Sequence, residues 1–202
     1  HAAASPFIAI TGTNGKSTTT ALTTHILKFA GYDVQMGGNI GVGVLSLAPP
    51  ADNRIHVMEL SSFQIDTTPT LNPTVGVLLN VTPDHLDRHG TVEAYAAVKE
   101  RLVAGASRAV IALDDDITRN AAKRLSVDKP VYPFSTRGKP RGDRPFWSDG
   151  AKLMTFDAAR EQCVADLSGI GSLRGTHNAQ NALAVLAALR ALDEACPRLS
   201  LW

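Results

Sequence analysis

Phe7-Ile8-Ala9-Ile10-Thr11-Gly12-Thr13-Asn14-Gly15-Lys16-Ser17-Thr18 decides how this chain is read. The apolar run at its start reads as a buried strand, the glycines as a tight loop, and the segment from Ser17 to Ala30 as a helix. That order makes a phosphate cradle. Glycines let backbone N–H groups turn toward an anion, the helix start adds the positive end of its dipole, and Lys16 and Ser17 supply an ammonium and a hydroxyl for phosphate and Mg²⁺. The usual P-loop puts four residues between its glycines, whereas only Thr13 and Asn14 separate Gly12 from Gly15, so a shortened relative is implied. The competing reading is a glycine turn capping a helix with Lys16 solvated. The strand before and the helix after favour phosphate.

Moving outward, apolar runs at Phe7–Ile10, Ile55–Leu60, Val75–Leu79 and Ala109–Leu113 read as buried strands. Helical patterns occupy Ser17–Ala30, Thr91–Ala104, Asp116–Leu125 and His177–Leu192. Their alternation predicts an α/β fold, a P-loop-type, mostly parallel sheet with helices on both faces. Between about Val131 and Asp166 short strands and prolines take over, and Asp149-Gly150 between Phe146-Trp147 and Leu153-Met154 signals a hairpin. This stretch is expected to be a small antiparallel extension of the main sheet.

A chain of 202 residues, 44% hydrophobic and 19% charged, has material for one sizeable core. The net charge of +1, with no lysine or arginine run, offers no footprint for nucleic acid or an anionic membrane. No apolar stretch approaches the ~18 residues of a bilayer span. Cys163 and Cys196 lack pairing or metal-type spacing, which points to a reducing cytoplasm. Residues 1–6 are patternless and read as a linker or remnant.

Ligands of doubly wound sheets collect at the carboxyl ends of the strands, so polar residues there are candidates. Glu59 closes one strand, where a carboxylate needs a cation or donors; a phosphate-bound Mg²⁺ is a natural partner, and a capping or salt-bridged glutamate is the alternative. The loop Asn80–Gly90 follows another strand and crowds polar side chains together, with Asp84 and His85 able to serve a metal, a phosphate or each other. Lys99 shares a helical stripe with Tyr95, Ala96, Leu102 and Val103, so it points inward or snorkels. A desolvated lysine loses pKa, and its neutral amine can add carbon dioxide to form an anionic carbamate ligand. Asn178 and Asn181 lie on one face of the last helix, with amides suited to the N6/N7 edge of adenine. No Asn-Lys-x-Asp guanine-type motif occurs.

Taken together, these segments resemble the Mur ligase family, ATP-dependent amino-acid ligases that build the peptide of bacterial cell-wall precursors. The resemblance rests on Gly12–Thr18, Gly38-Asn39-Ile40-Gly41, Glu59-Leu60-Ser61-Ser62-Phe63-Gln64, Asn80–Gly90, Tyr95 to Lys99, and Gly175-Thr176-His177-Asn178 with Asn181, and it covers about Phe7 to Leu192. The Glu59–Gln64 and Gly38–Gly41 runs look like those of the D-glutamate-adding branch. Resemblance implies that Gly12, Thr13, Asn14, Gly15, Lys16, Ser17 and Thr18 bind ATP phosphates and Asn178 and Asn181 the adenine. It implies one Mg²⁺ on Ser17 and Glu59, and a second on His85 and carbamylated Lys99. It implies that Lys16, His85 and Lys99 are catalytic, and that Asn39, Ser61 and His85 contact the substrate, UDP-N-acetylmuramoyl-L-alanine, to which D-glutamate is joined through an acyl phosphate.

Family members have three domains, and this chain resembles the central one. The expected division is a linker at 1–6, the ATP-binding domain at 7–195, and the start of a linker at 196–202, with the N- and C-terminal domains as missing partners and no turnover by the central domain alone. Two rivals stay open: a nucleotide-dependent switch, and a folylpolyglutamate-type or other Mur-type ligase.

Overall fold

The computed structural model describes residues 5–157 and 159–201. Within the expected remnant, residues 1–4 lie outside the described residues, but Ser5 and Pro6 belong to the fold. Ser5 Oγ donates to the Ala51 carbonyl at 2.8 Å and accepts from its N–H at 2.7 Å. The Pro6 carbonyl accepts from His56 N at 3.1 Å.

The described residues form one nine-stranded sheet in the order β2-β3-β1-β4-β5-β6-β7-β8-β9. Its centre is parallel: β1 (Phe7–Thr11) lies between β3 (Arg54–Glu59) and β4 (Val75–Leu78), with β2 (Asp33–Gly38) outside β3 and β5 (Arg108–Ala112) beside β4. The fold is the expected α/β sheet with helices on both faces. The antiparallel part is smaller than the sequence suggests, because β6 (Val131–Ser135) and β7 (Phe146–Asp149) continue the parallel run. Only β8 (Lys152–Asp157) reverses, pairing antiparallel with β7 on one side and with β9 (Arg160–Asp166) on the other. The turn between β7 and β8 carries Gly150 at φ 59°, the left-handed conformation glycine adopts without strain.

Strand periodicity sends alternate residues to opposite faces. Ile8, Ile10, Val75, Val77, Val110 and Ala112 join a core with the helices α1 (Lys16–Phe29) and α6 (Thr176–Ala195). Ala9, Leu78, Ala109 and Ile111 join a second core under α4 (Val92–Gly105) and α5 (Asp116–Leu125). Gly76 in β4 permits this approach, since a Cβ there would sit 2.9 Å from Ala106 Cβ. Two short helices, α2 (Ser62–Asp66) and α3 (Leu86–His89), follow β3 and β4 at their carboxyl ends. Among the described residues, no helix is long and apolar enough to cross a membrane.

Residues 196–201 of the expected outgoing linker fold back. Leu199 is buried, its carbonyl accepts from the Tyr32 hydroxyl, and Leu201 N donates to Asp193 Oδ1 at 2.6 Å. Trp202 lies outside the described residues.

Candidate functional site

The carboxyl ends of β1, β3 and β4 converge on one place. Gly15 caps α1 at φ 85°, the left-handed turn that swings the chain from β1 into the helix. No acidic residue occupies the first turn of α1, so the helix dipole there is left to an anion. Asn80, immediately beyond β4, holds the glycine loop like a template. Its Oδ1 accepts from Asn14 N at 2.8 Å, its Nδ2 donates to Asn14 O at 3.1 Å, and its carbonyl accepts from Thr13 N at 3.0 Å. Thr13 Oγ1 in turn accepts from Thr82 N at 3.0 Å. Lys16 folds back over the loop, its Nζ donating to Gly12 O at 2.9 Å and Thr13 O at 2.8 Å.

Glu59 is only 2% exposed and meets no cation among the described residues; both its oxygens accept neutral donors. Ser17 Oγ donates to Oε2 at 2.8 Å and Asn39 Nδ2 to Oε1 at 2.9 Å. A hydroxyl and a carboxylate in contact at a helix N-terminus form the hard-oxygen donor set that Mg²⁺ takes beside phosphate, so the residues fit that ion. Among the described residues, no three histidine, cysteine, aspartate or glutamate side chains gather into a metal cluster. Any Mg²⁺ here depends on phosphate and water oxygens for the rest of its shell.

Lys99 is 1% exposed and points inward from α4. Its Nζ donates to the same Gly12 carbonyl at 2.9 Å and to Thr11 Oγ1 at 3.3 Å, and stands 4.6 Å from the Tyr95 ring centroid. Burial, reinforced by the Lys16 charge and opposed by Asp84, lowers its pKa from 10.5 to about 7. Two amines therefore share one carbonyl, and one of them is easily neutralised.

His85 holds φ 49°, left-handed backbone unusual for a residue with a side chain. Asp84 accepts from His85 N at 2.9 Å, and its other oxygen lies 3.6 Å from His85 Nε2. The His85 ring meets Phe63 edge-on at 5.4 Å, while His89 contacts Ser62 Oγ at 3.0 Å and tilts against Tyr95. Ser61 begins α2 with a reciprocal cap, its hydroxyl accepting from Gln64 N and its N–H donating to Gln64 Oε1.

A pocket of about 300 Å³ results, lined by Lys16, Asn39, Ser61, Asp84, His85 and Lys99 among others. Beside the loop lies a larger cleft of about 660 Å³ that includes Asn14, Asp114, Thr136, His177 and Gln180. The expected adenine pair does not reach into it as a pair. Asn178 Nδ2 donates to Arg174 O at 2.9 Å, and Asn181, 5% exposed, sits behind Gly15, with its Oδ1 accepting from Thr19 Oγ1 at 3.4 Å. A Cβ on Gly15 would lie 2.3 Å from that oxygen. Sequence reasoning placed Asn80 in a candidate loop but did not foresee its clamp on Asn14, and it did not single out the Asp114–Gln180 contact. Asn80 was signalled by its position directly after a strand; Asp114 and Gln180 are brought together only by the fold.

The profile described as the Mur ligase middle domain matches residues 10–189. The UDP-N-acetylmuramoylalanine–D-glutamate ligase of Chelativorans sp. is 58% identical over 189 residues, covering 93% of this chain and 40% of that protein. The chain thus spans about 40% of the length of the curated relatives it matches. Among solved structures, a UDP-N-acetylmuramoylalanyl-D-glutamyl-2,6-diaminopimelate–D-alanyl-D-alanyl ligase from Acinetobacter baumannii superposes with TM-score 0.70 at 19% identity, over 96% of this chain and 44% of that one. The MurF ligase of Thermotoga maritima in complex with ADP gives TM-score 0.65 at 19% identity, over 94% and 46%. At such identities these structures speak for the fold.

Proposed function

This chain belongs to the Mur ligase family, matching its middle domain, and from that premise we propose that its parent protein is a cytoplasmic ligase that joins D-glutamate to UDP-N-acetylmuramoyl-L-alanine with conversion of ATP to ADP. The observation that carries the reading is the pocket in which Lys16, Asn39, Ser61, Asp84, His85 and Lys99 meet at the edge of the phosphate loop. The substrate and partner assignments rest on the 58% identical relative whose name states them.

In this reading the loop amides and Lys16 hold the β- and γ-phosphates, while the base lies in the cleft of about 660 Å³ beside Asn14. Ser17 and Glu59 would hold one Mg²⁺, and His85 with carbamylated Lys99 a second. When bound, such ions neutralise phosphate charge. Asn39 and Ser61 orient the muramoyl-alanine carboxylate, whose oxygen attacks the γ-phosphorus as ADP departs. The neutral D-glutamate amine then attacks the acyl carbon, phosphate leaves the tetrahedral intermediate with the C–O bond electrons, and one N–H proton passes to the departing phosphate or to water. Phosphate is a far better leaving group than the carboxylate oxygen it replaces. Holding donor and acceptor in line is the main contribution this site makes.

The near-neutral amine of Lys99 supports its modification: the nitrogen lone pair adds to carbon dioxide, a proton leaves, and the anionic carbamate replaces a cation next to Lys16. We assign 7–195 to the ATP-binding domain, with the uridine nucleotide and D-glutamate carried by the rest of the parent, so this chain alone binds nucleotide without ligating. The test is a panel on the full-length parent: UDP-N-acetylmuramoyl-L-alanine with D-glutamate, meso-diaminopimelate, lysine or L-alanine, reading ADP. Turnover is expected with D-glutamate. A product with another amino acid overturns the assignment, and D-glutamate-dependent phosphate release by this chain alone overturns the division of labour.

A further inference from the structure

We propose that Gln180, oriented by Asp114, selects a 6-amino purine over a 6-oxo purine in the cleft beside the phosphate loop; the proposal rests on the nucleotide reading above and adds the group that reads the base. Asp114, two residues past the end of β5, is 8% exposed, and its carboxylate is ringed by donors. Oδ1 accepts from Ser135 Oγ at 2.6 Å and Thr136 N at 3.1 Å; Oδ2 accepts from Thr136 Oγ1 at 2.9 Å and Gln180 Nε2 at 2.9 Å. Thr136 N also stands 3.2 Å from Oδ2.

This arrangement removes the usual ambiguity of an amide. A carboxylate only accepts, so the end of Gln180 that faces it must be the NH₂. The carbonyl oxygen Oε1 is then the end left for a ligand in the cleft, which Gln180 lines together with Asn14, Thr136 and His177. An acceptor matches the exocyclic amine of adenine. It repels the carbonyl that hypoxanthine and guanine carry at the same position. The orientation is set across 66 residues of sequence, by the loop after β5 holding the start of α6.

Asp114→Asn makes the idea sharply testable. The new amide keeps its oxygen toward Ser135 and the Thr136 N–H and puts its NH₂ where Oδ2 stood. Thr136 Oγ1 can accept from it, and Gln180 must turn its own oxygen inward. Nε2 then faces the cleft and favours a 6-oxo base.

The experiment uses the full-length parent, with ATP and ITP competing against a fluorescent ATP analogue and each nucleotide also assayed for ligation. ITP replaces the 6-amino group by a 6-oxo group, with a proton on N1, and leaves the rest of the purine unchanged. Wild type is expected to prefer ATP by about tenfold or more, the cost of setting two acceptors face to face. Gln180→Met, folded by circular dichroism, is expected to bring the two affinities within about threefold of each other. Asp114→Asn is expected to bind ITP as well as ATP or better. Wild-type selectivity retained in Gln180→Met overturns the proposal, whether or not Asp114→Asn folds. So does a folded Asp114→Asn that still prefers ATP. Selectivity without D-glutamate ligation sinks the ligase reading and leaves the base assignment standing, while ligation without selectivity does the reverse. Failure to bind either nucleotide overturns both.

Discussion

Replacing Lys99 with methionine should change how stability depends on pH, by an amount that follows from its surroundings. The unfolded lysine titrates near 10.5, whereas in the fold burial first, and the Lys16 charge second, bring it to about 7 against the pull of Asp84. Below about pH 7 both states hold the proton, and the fold bears the full cost of a buried ammonium. Between 7 and 10.5 the unfolded chain binds a proton that the native chain has released, so native stability climbs with pH. The slope approaches about 1.4 kcal/mol per pH unit once the native amine is released; at pH 7 it is only half released, so the gain between pH 7 and pH 9 is about 2 kcal/mol. Lys99→Met keeps the apolar stem among Tyr95, Leu102 and Val103 and lacks the amine. It also lacks the hydrogen bonds to Gly12 O and Thr11 Oγ1, an offset that does not vary with pH. Urea unfolding of both proteins at pH 6, 7, 8 and 9, in buffer freed of carbon dioxide, isolates the effect. Wild type should gain on the variant by about 1 M or more in urea midpoint from pH 7 to pH 9. Parallel curves would refute a depressed amine at this position, and with it the chemical basis for a carbamate.

Gly15→Ala should destabilise by about 2–4 kcal/mol in thermal or urea unfolding, because left-handed backbone adds to a Cβ placed 2.3 Å from Asn181 Oδ1. Gly150→Ala is the control: its φ of 59° is also left-handed, but nothing stands within 4 Å of the added methyl, so about 1 kcal/mol is expected and equal losses would dismiss the Asn181 contact. Glu59→Gln keeps the shape that meets Ser17 and Asn39 but not the charge. In the full-length parent it should raise the Mg²⁺ concentration for half-maximal ADP formation about 10–100-fold, and an unchanged Mg²⁺ titration would remove Glu59 from the ligand set.

The central strands and long helices were legible because each imposes a period over many residues. For Lys99 the stripe of α4 left two outcomes, an inward side chain or a snorkelling one, and its burial in the fold decides for the first. β2 was not legible: Asp33-Val34-Gln35-Met36-Gly37-Gly38 is a polar, glycine-containing edge strand whose pairing with β3, and not its composition, makes it a strand. The same limit hid the parallel pairing of β6 with β5, where Pro133 suggested an irregular extension. Asn178 and Asn181 share a helical face in sequence, yet packing divides them. The amide of Asn178 turns to the carbonyl of Arg174, and that of Asn181 fills the space a glycine leaves behind the loop. Sequence spacing gives direction around a helix axis and says nothing of what lies in that direction.

Register is what converts these separate elements into one site. β1 and β3 are paired so that Ile10 lies beside Glu59, and β2 joins with Gly38 beside the same residue. β4 is set so that Leu78 lies beside Thr11, which delivers Asn80 to Asn14 two residues later. Shifting β3 by one residue would turn Glu59 to the opposite face, away from Ser17, and bury a polar side chain in the second core. The apolar alternation of Ile55, Val57 and the neighbouring β1 residues therefore fixes more than stability, since it also aims a carboxylate at the start of α1. Gly38 belongs to the same constraint. A Cβ there would lie 2.2 Å from the Glu59 carbonyl, so only glycine lets β2 end close enough for Asn39 to reach Glu59 Oε1. The hydrophobic pattern that selects the fold and the polar contacts that build the site are thus one choice of strand register.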